Sequence, residues 1–261
     1  MAGGAMIAGL LHTVPALAPT FDGLVADAVP GTSREHVVDA WMLETAIAEG
    51  VTPAVRERVA AHLRHLAESG ADAILVTCSS IGEAAEEAAA SLGVPVIRVD
   101  AAMAAEAARL ASAATGAQPR IAVLATNTAT LGPTTRLIER EAAAQGVRAT
   151  VTATVVDGAA AARAAGDQAT HDRLIADAVR AAANPAAGEA AAAVLVLAQA
   201  SMAPAAESAG VDIPVLTSPA GGVARLAEAL TPSDPGTPDA SANRAAASGS
   251  DGTSPENGAT P

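Results

Sequence analysis

The chain contains no lysine and no tyrosine, and all fifteen of its basic residues are arginine. Without lysine there is neither a Walker-type phosphate loop nor a Schiff base for pyridoxal phosphate. A lysine or tyrosine general base is excluded as well. Aromatic residues make up 1% of the chain, so alanine, valine, leucine and isoleucine must build the core.

Positive charge and cysteine are also scarce. The formal net charge of −13 opposes binding to nucleic acid or to an anionic membrane surface. The first residues, Met1–Leu11, have no basic region and no apolar run long enough for a signal peptide or a membrane span. Cys78 is the single cysteine, which rules out a disulfide within the chain. We therefore expect a cytoplasmic protein with no nucleic-acid partner and no membrane partner.

The stretch from Ala73 to Glu86 predicts a buried strand followed at once by a helix. Its apolar run Ala73–Val76 ends in small polar residues, and an Ala- and Glu-rich pattern follows. Ligands of open α/β sheets bind outside the carboxyl ends of the strands, where Cys78 would lie. The N–H groups of residues 79–81 would then point, unpaired, towards a ligand beside Cys78.

Two parts of the chain repeat in the same order. Residues 73–86 align with residues 194–207, which brings Gln199 opposite Cys78. Residues 7–20 align in the same way with residues 121–134, and each copy predicts a strand, a polar turn and a helix with proline in its first turn. The repeats indicate a duplicated unit of roughly 115–120 residues, the size of an ordinary domain.

The predicted fold class is α/β, with two pseudo-symmetric flavodoxin-like halves, parallel sheets and an active-site cleft between the halves. The first half takes residues 1–100 and 213–232, and the second takes residues 101–212. Among the predicted helices are Pro53–Ser69, Thr134–Gln145, Gln168–Ala183 and a closing helix, Val223–Leu230. Residues 233–261 are Pro, Gly, Ser, Thr, Asp and Ala without periodicity, which predicts a disordered tail.

Polar residues follow the predicted strands and would meet in the cleft. Set side by side, they offer a nucleophile or base, hydroxyl groups, an amide and backbone donors, with almost no fixed charge. Such a group suits a small carboxylate held by hydroxyl and N–H groups. The candidates are His12, Thr13, Thr77, Cys78, Ser79, Ser80, Thr126, Asn127, Thr128, Thr130, Gln199, Ala200 and Ser201.

The pattern resembles the aspartate/glutamate racemase superfamily, which includes hydantoin racemases, maleate isomerases and arylmalonate decarboxylases. The resemblance covers about residues 6–230. It rests on Val-Thr-Cys78-Ser-Ser, on the counterpart Leu-Ala-Gln199-Ala-Ser-Met, and on the duplicated starts of the halves. It implies a substrate between the halves and catalysis without a cofactor or a metal.

In that family, one cysteine from each half lies on each side of the substrate's α-carbon, and the two thiols exchange its proton. Carried onto this chain, Cys78 matches the first-half cysteine. The second position holds Gln199, which exchanges no proton at neutral pH. Because the second cysteine is missing, three functions remain open. The protein could transfer a proton at the α-carbon, act as a one-thiol decarboxylase or lyase, or bind a small carboxylate without activity.

Each candidate also has a structural interpretation. Cys78 could be a small buried apolar residue, and the threonines could cap a helix. His12 is expected to be a second proton carrier that opens onto the cleft, or else a core or surface histidine. His62 and His65, three apart on a helix, form a weak candidate for a metal pair. The expected partner is a small carboxylate, and further copies of the same chain are left open.

Overall fold

The structure is a computed structural model that describes residues 5–114, 118–184 and 191–231. The chain divides into a compact unit, Met1–Leu230, and a second unit, Thr231–Pro261, of which Thr231 alone is described. The tail predicted over residues 233–261 therefore lies outside the described residues. No helix in the described ranges is long and apolar enough to cross a membrane.

The first sheet has four parallel strands in the order β2-β1-β3-β4, the arrangement of flavodoxin-like folds. Its strands are β1 (Ile7–His12), β2 (Ser33–Val38), β3 (Ala73–Val76) and β4 (Val96–Arg98). The helices of this part are α1 (Ala18–Ala28), α2 (Ala40–Glu49), α3 (Pro53–Glu68) and α4 (Gly82–Ala89).

The second sheet repeats this order as β6-β5-β7-β8, again with parallel strands. Its strands are β5 (Arg120–Ala125), β6 (Thr150–Val155), β7 (Ala192–Leu197) and β8 (Val215–Thr217). The remaining helices are α5 (Ala101–Ala113), α6 (Thr128–Ala144), α7 (Ala159–Ala164), α8 (Gln168–Ala183), α9 (Ala203–Ser208) and α10 (Ser218–Leu230). The α/β fold class with two parallel sheets is confirmed.

The two central strands of the first sheet, β1 and β3, are buried on both faces, as is typical of parallel sheets. Leu11 of β1 packs with the apolar residues of α3 on one face. Leu10, its neighbour, packs on the other face with Phe21 of α1 and Leu226 of α10. Because successive strand residues point to opposite faces, one short strand contributes to both cores.

The helix at the start of the second half begins earlier than predicted. The side-chain oxygen of Asn127 accepts a hydrogen bond from the Thr130 backbone at 3.2 Å and caps α6 at Thr128 rather than at Thr134. Pro133 consequently lies inside the helix and not in its first turn. The cap thus outweighs the proline in deciding where α6 begins.

Two further details differ from the expected arrangement. Helices α2 and α7 were not predicted. In the segment 213–232, assigned to the first half, β8 pairs with β7 of the second sheet, whereas α10 packs on α5 and α1 and on the strands β3 and β4. Strand β8 extends the second sheet because β7 offers it a free edge in parallel register.

Charged side chains connect the helices of the two sheets. Arg136 of α6 donates to both carboxylate oxygens of Glu83 in α4, at 2.7 and 2.8 Å. Arg140, one turn further along α6, donates to Glu86 at 2.6 Å. The buried Arg98 also donates to Glu86, at 3.0 Å. These contacts join α4 and α6 beside the carboxyl ends of the sheets.

Candidate functional site

Cys78 and Gln199 occupy equivalent positions in the two halves. Each follows a buried strand in extended conformation with φ of −126°, and each precedes a 3-10 turn, Ser79–Ile81 or Ala200–Met202. A helix begins directly after each turn, at Gly82 and at Ala203. The duplication read from the sequence is therefore also a duplication of backbone geometry.

Both residues line one cavity at the carboxyl ends of the two sheets. The cavity measures about 390 Å³ with its open mouth included, within the range of small-molecule sites, and the centre of a water-sized sphere can move through about 40 Å³ of it. One water needs roughly 10–15 Å³ of such space, so the cavity has room for a small ligand group. The lining residues are Thr13, Val14, Leu17, Leu43, Thr77, Cys78, Ser79, Ser80, Thr130, Gln199, Ala200 and Ser201.

Nine of the candidate residues named from the sequence lie in this lining, and His12, Thr126, Asn127 and Thr128 do not. The lining residues that the sequence did not indicate are apolar: Val14, Leu17 and Leu43. Leu43 belongs to the unpredicted helix α2, and no local signal distinguishes it from an ordinary core residue. None of the described residues that line the cavity carries a fixed charge.

Hydrogen bonds cross between the halves at the cavity. The Ser79 hydroxyl donates to the Ala198 carbonyl oxygen at 3.2 Å. The hydroxyl oxygens of Ser80 and Thr130 lie 3.0 Å apart, and the Thr130 hydroxyl donates to the Asn127 side-chain oxygen at 3.1 Å. These bonds fix the wall against which a ligand would lie.

The orientation of Gln199 follows from its neighbours. Its side-chain oxygen accepts hydrogen bonds from the backbone N–H of Thr126 at 2.5 Å and from the Thr126 hydroxyl at 2.9 Å. A backbone N–H only donates, so the atom that faces it must be the amide oxygen. The Gln199 NH₂ group is then left for the cavity. Thr126 therefore holds the Gln199 side chain in place but does not line the cavity itself.

Asn127 and Thr128 have structural positions in this protein. Asn127 caps α6, and Thr128, the first residue of that helix, is exposed to solvent. Neither lines the cavity, although both were expected to contact the substrate. The reason is the earlier start of α6, which turns these residues away and leaves Thr130 as the contact.

The thiol of Cys78 is less acidic than that of an ordinary cysteine. Burial raises its pKa above the ordinary value, and interactions with the Thr13 side chain, the Ser80 and Ile81 N–H groups and the Ser80 hydroxyl offset the increase in part. The donors expected from the sequence are therefore present, but burial has the larger effect on the pKa. In the ligand-free cavity, the neutral thiol is favoured.

The Thr13 hydroxyl lies beside the Cys78 thiol, where it can serve either the thiolate or a ligand. The Thr13 hydroxyl is buried and has no hydrogen-bond partner with good geometry among the described residues. Leaving such a group unpaired costs about 1–3 kcal/mol. An acceptor atom in the cavity would recover this energy, so Thr13 favours a ligand with an oxygen acceptor.

His12 lies behind the cavity wall and does not open onto the cleft. It is fully buried and contacts the Thr77 hydroxyl oxygen through Nδ1 at 2.9 Å. Burial, and then the nearby His36, lower the pKa of His12 to about 4. Its position corrects the expectation that the exit turn of β1 exposes it to substrate, because Thr13, the next residue, takes that place.

The two histidines of α3 are separated by their partners. His62 Nε2 lies 2.7 Å from the Asp39 carboxylate, whereas His65 is exposed and lies 4.0 Å from Glu35. Among the described residues no group of three or more His, Cys, Asp or Glu is placed to hold a metal ion. His62 and His65 thus belong to different ion pairs.

Comparison with known proteins gives one family. The sequence profile of Asp/Glu/hydantoin racemases matches residues 17–226. No curated protein sequence matches the chain significantly.

Solved structures with the same fold include three racemases. The chain is similar to glutamate racemase isoform RacE1 from Bacillus anthracis, with 18% identity, coverage of 86% of this chain and 81% of that one, and a TM-score of 0.60. Picrophilus torridus aspartate racemase shows 14% identity, 87% and 94% coverage and a TM-score of 0.63. Allantoin racemase from Klebsiella pneumoniae shows 18% identity, 87% coverage of both chains and a TM-score of 0.52. At these identities the structures establish a shared fold.

Proposed function

The chain belongs to the Asp/Glu/hydantoin racemase family, a family of racemase-type isomerases, and from this premise we propose that it transfers a proton at the α-carbon of a small carboxylate. Cys78 is the group that takes or gives the proton, and the reaction needs no cofactor. The observation that carries the proposal is the cavity between the two sheets, which Cys78 and Gln199 line from equivalent turns.

A carboxylate group suits the donors of this cavity. The Gln199 NH₂ group and the Thr13 hydroxyl both have protons to give to an oxygen acceptor. No charged side chain lines the described cavity, so the ligand's charge would be met by neutral dipoles, as in an oxyanion hole. The cavity also has room for a group as small as a carboxylate.

The reaction uses one thiol on one face of the substrate. The Cys78 thiolate takes the α-proton, the electron pair stays on the substrate as an enediolate, and the thiol returns a proton to the same carbon. Racemisation needs a second group that titrates on the opposite face. Gln199 has no such proton at neutral pH, so we expect exchange with a single stereochemical outcome.

A one-thiol decarboxylase is the second candidate, and the raised pKa of Cys78 supports it. In that reaction a carbon–carbon bond breaks, carbon dioxide leaves, and the electron pair remains on the α-carbon. The neutral Cys78 thiol then donates its proton to that carbon. The protonation state favoured by burial is the one that this step requires.

Hydrogen exchange in deuterated water tests the proposal. Glutamate, aspartate and allantoin, the compounds named for the similar structures, are incubated with the protein and followed by mass spectrometry and chiral chromatography. We expect deuterium at the α-carbon without racemisation, and no incorporation with Cys78→Ser. Binding of a compound without exchange or decarboxylation would contradict catalysis and support a binding protein.

Gln199→Cys tests the duplicated geometry directly. A second thiol at this position supplies the missing acid on the opposite face, so we expect the variant to racemise the substrate that the wild type only exchanges. Gln145→Cys, on the exposed end of α6, adds a thiol away from the cavity and is the matched control. Free racemisation by the wild type would show that a proton carrier on the second face has been missed.

A further inference from the structure

A line of hydrogen-bonding groups runs from the surface to the cavity wall. The Asp22 carboxylate lies 3.1 Å from His36 Nε2, His36 Nδ1 lies 3.0 Å from His12 Nε2, and His12 Nδ1 lies 2.9 Å from the Thr77 hydroxyl oxygen. The Asp22 side chain is 44% exposed, whereas His12 is fully buried and Thr77 lines the cavity. Neither Asp22 nor His36 was a candidate from the sequence.

The neutral form of this line has one arrangement of protons. The Asp22 carboxylate only accepts, so His36 carries its proton on Nε2 and accepts at Nδ1. His12 then donates from Nε2, which makes its Nδ1 an acceptor for the Thr77 hydroxyl. Each member donates outward, and every hydrogen bond is satisfied.

One added proton reverses the inner bonds. When His36 carries protons on both nitrogens, its Nδ1 donates to His12, and His12 carries its own proton on Nδ1 and donates to Thr77. The Thr77 hydroxyl turns to the Leu11 carbonyl oxygen, 3.1 Å away. His12 stays neutral in both forms, which agrees with its pKa of about 4. The two forms satisfy the same groups and differ by one proton.

We propose that Asp22, His36, His12 and Thr77 form a proton wire that connects the solvent with the cavity beside Cys78. In the form with the added proton, the His36 Nδ1 proton passes to His12 Nε2, the His12 Nδ1 proton passes to Thr77, and the hydroxyl proton of Thr77 moves to an acceptor in the cavity such as the Cys78 thiolate. The line is then back in its neutral form, and His36 takes up the next proton from the solvent side. One proton enters and one leaves. The role of the wire rests on the proposed function, because it supplies the proton that a single thiol must exchange with solvent.

The charged and titratable groups around His36 come from three elements. His12 faces it from β1 and Asp22 from α1, while Arg34 of β2 donates to the same Asp22 oxygen at 2.7 Å. Arg34 keeps Asp22 ionised: its hydrogen bond, and then that of His36, lower the pKa of this carboxyl. The neighbouring Glu35 on β2 contacts His65 instead.

Nuclear magnetic resonance of the full chain with ¹⁵N-labelled histidine tests the wire without any substrate. Two-bond ¹⁵N–¹H correlations give the tautomer of each ring across the range in which histidine ordinarily titrates, around pH 6.5. We expect His12 to change from its Nε2–H to its Nδ1–H tautomer with the midpoint at which His36 gains its proton. A single His12 tautomer throughout the titration of His36 overturns the proposal.

Two variants separate the wire from a general effect of pH. His36→Gln removes the imidazole that carries the added proton, so His12 should keep one tautomer over the whole range. His65→Gln removes an exposed histidine that also faces a carboxylate but does not contact the wire, and the change of tautomer should persist. A His12 tautomer that still switches in His36→Gln, or that no longer switches in His65→Gln, overturns the proposal.

Exchange of the α-hydrogen of L-aspartate in deuterated water tests the role of the wire. We expect His36→Gln to slow exchange by about tenfold or more, since positioned proton transfer typically contributes 10²–10⁴-fold, and His65→Gln to leave the rate unchanged. If His36→Gln exchanges the α-hydrogen as fast as the wild type does, the wire does not supply protons to the cavity. If the wild type exchanges none of the compounds tested, the proposed function fails, while the tautomer measurement still decides whether the wire exists.

Discussion

At the scale of single residues, burial and the nearby hydrogen-bond donors shift the pKa of Cys78 in opposite directions. Charges near a helix N-terminus gain about 0.3–1 kcal/mol, which is less than one pKa unit at about 1.36 kcal/mol per unit. Desolvation can shift a pKa by several units where burial is complete and by less where it is partial, as at Cys78. The magnitudes explain why the donors offset the shift caused by burial without reversing it.

We predict that Cys78 reacts slowly with iodoacetamide near pH 7 and that the rate increases only above the ordinary thiol pKa of about 8.5. Mass spectrometry of the modified chain measures the rate, and the unfolded chain in urea supplies the rate of a free thiol. Because the folded pKa is the higher one, folding stability should fall as pH rises past the unfolded pKa. Rapid modification of the folded protein near pH 7 would contradict the prediction.

Thr13→Val provides the matched test of the donors. The change removes the hydroxyl that favours the thiolate, so the midpoint of the alkylation profile should move to higher pH. Thr128→Val makes the same change at an exposed position outside the cavity and should leave the profile where it is.

At the scale of elements, helix α10 depends on close approach to the strand end after β4. A Cβ atom on Gly222 would lie 2.8 Å from both Cα and O of Val99, closer than such atoms approach in proteins. Gly23, in the middle of α1, has no atom within 4 Å of the same position. Alanine substitutions at the two glycines therefore distinguish the energy lost by overpacking from the energy gained when alanine replaces glycine in a helix.

We predict that Gly222→Ala destabilises the protein and that Gly23→Ala stabilises it. Alanine gains about 0.8–1.0 kcal/mol over glycine inside a helix, whereas overpacking against fixed atoms costs about 1–3 kcal/mol. Urea unfolding at constant m-value measures both changes. Equal stabilisation by the two substitutions would show that α10 does not approach Val99 this closely.

At the scale of the whole molecule, two sheets of the same strand order form the unit that ends at Leu230. The match to the racemase family ends at residue 226, close to the end of α10. The residues from 233 onwards contain few large apolar side chains and could bury little surface. Little burial cannot offset the entropy of ordering a chain.

We predict that removal of residues 233–261 leaves the thermal midpoint unchanged within error. Differential scanning calorimetry of the full chain and of the chain that ends at residue 232 makes the comparison. A decrease of several degrees in the shortened chain would show that these residues pack on the rest of the protein.

The sequence by itself determined the class of fold and the two equivalent residues of the candidate site, Cys78 and Gln199. Short apolar runs that end in polar residues mark buried parallel strands locally, so β3 and β7 were predicted. Their repetition placed Cys78 and Gln199 at equivalent strand ends. These apolar runs are visible in the sequence because a strand that is buried on both faces needs several apolar residues in a row.

The tertiary structure alone decided which groups face the cavity and in which protonation state. The pKa of Cys78 depends on burial by several distant elements, and the burial of His12 depends on β2 and α1 as well as on its own strand. His36 and Asp22 became relevant only when parallel pairing of β1 and β2 brought them next to His12. Desolvation and hydrogen bonding act between residues that are distant in sequence, so no local pattern in the chain records them.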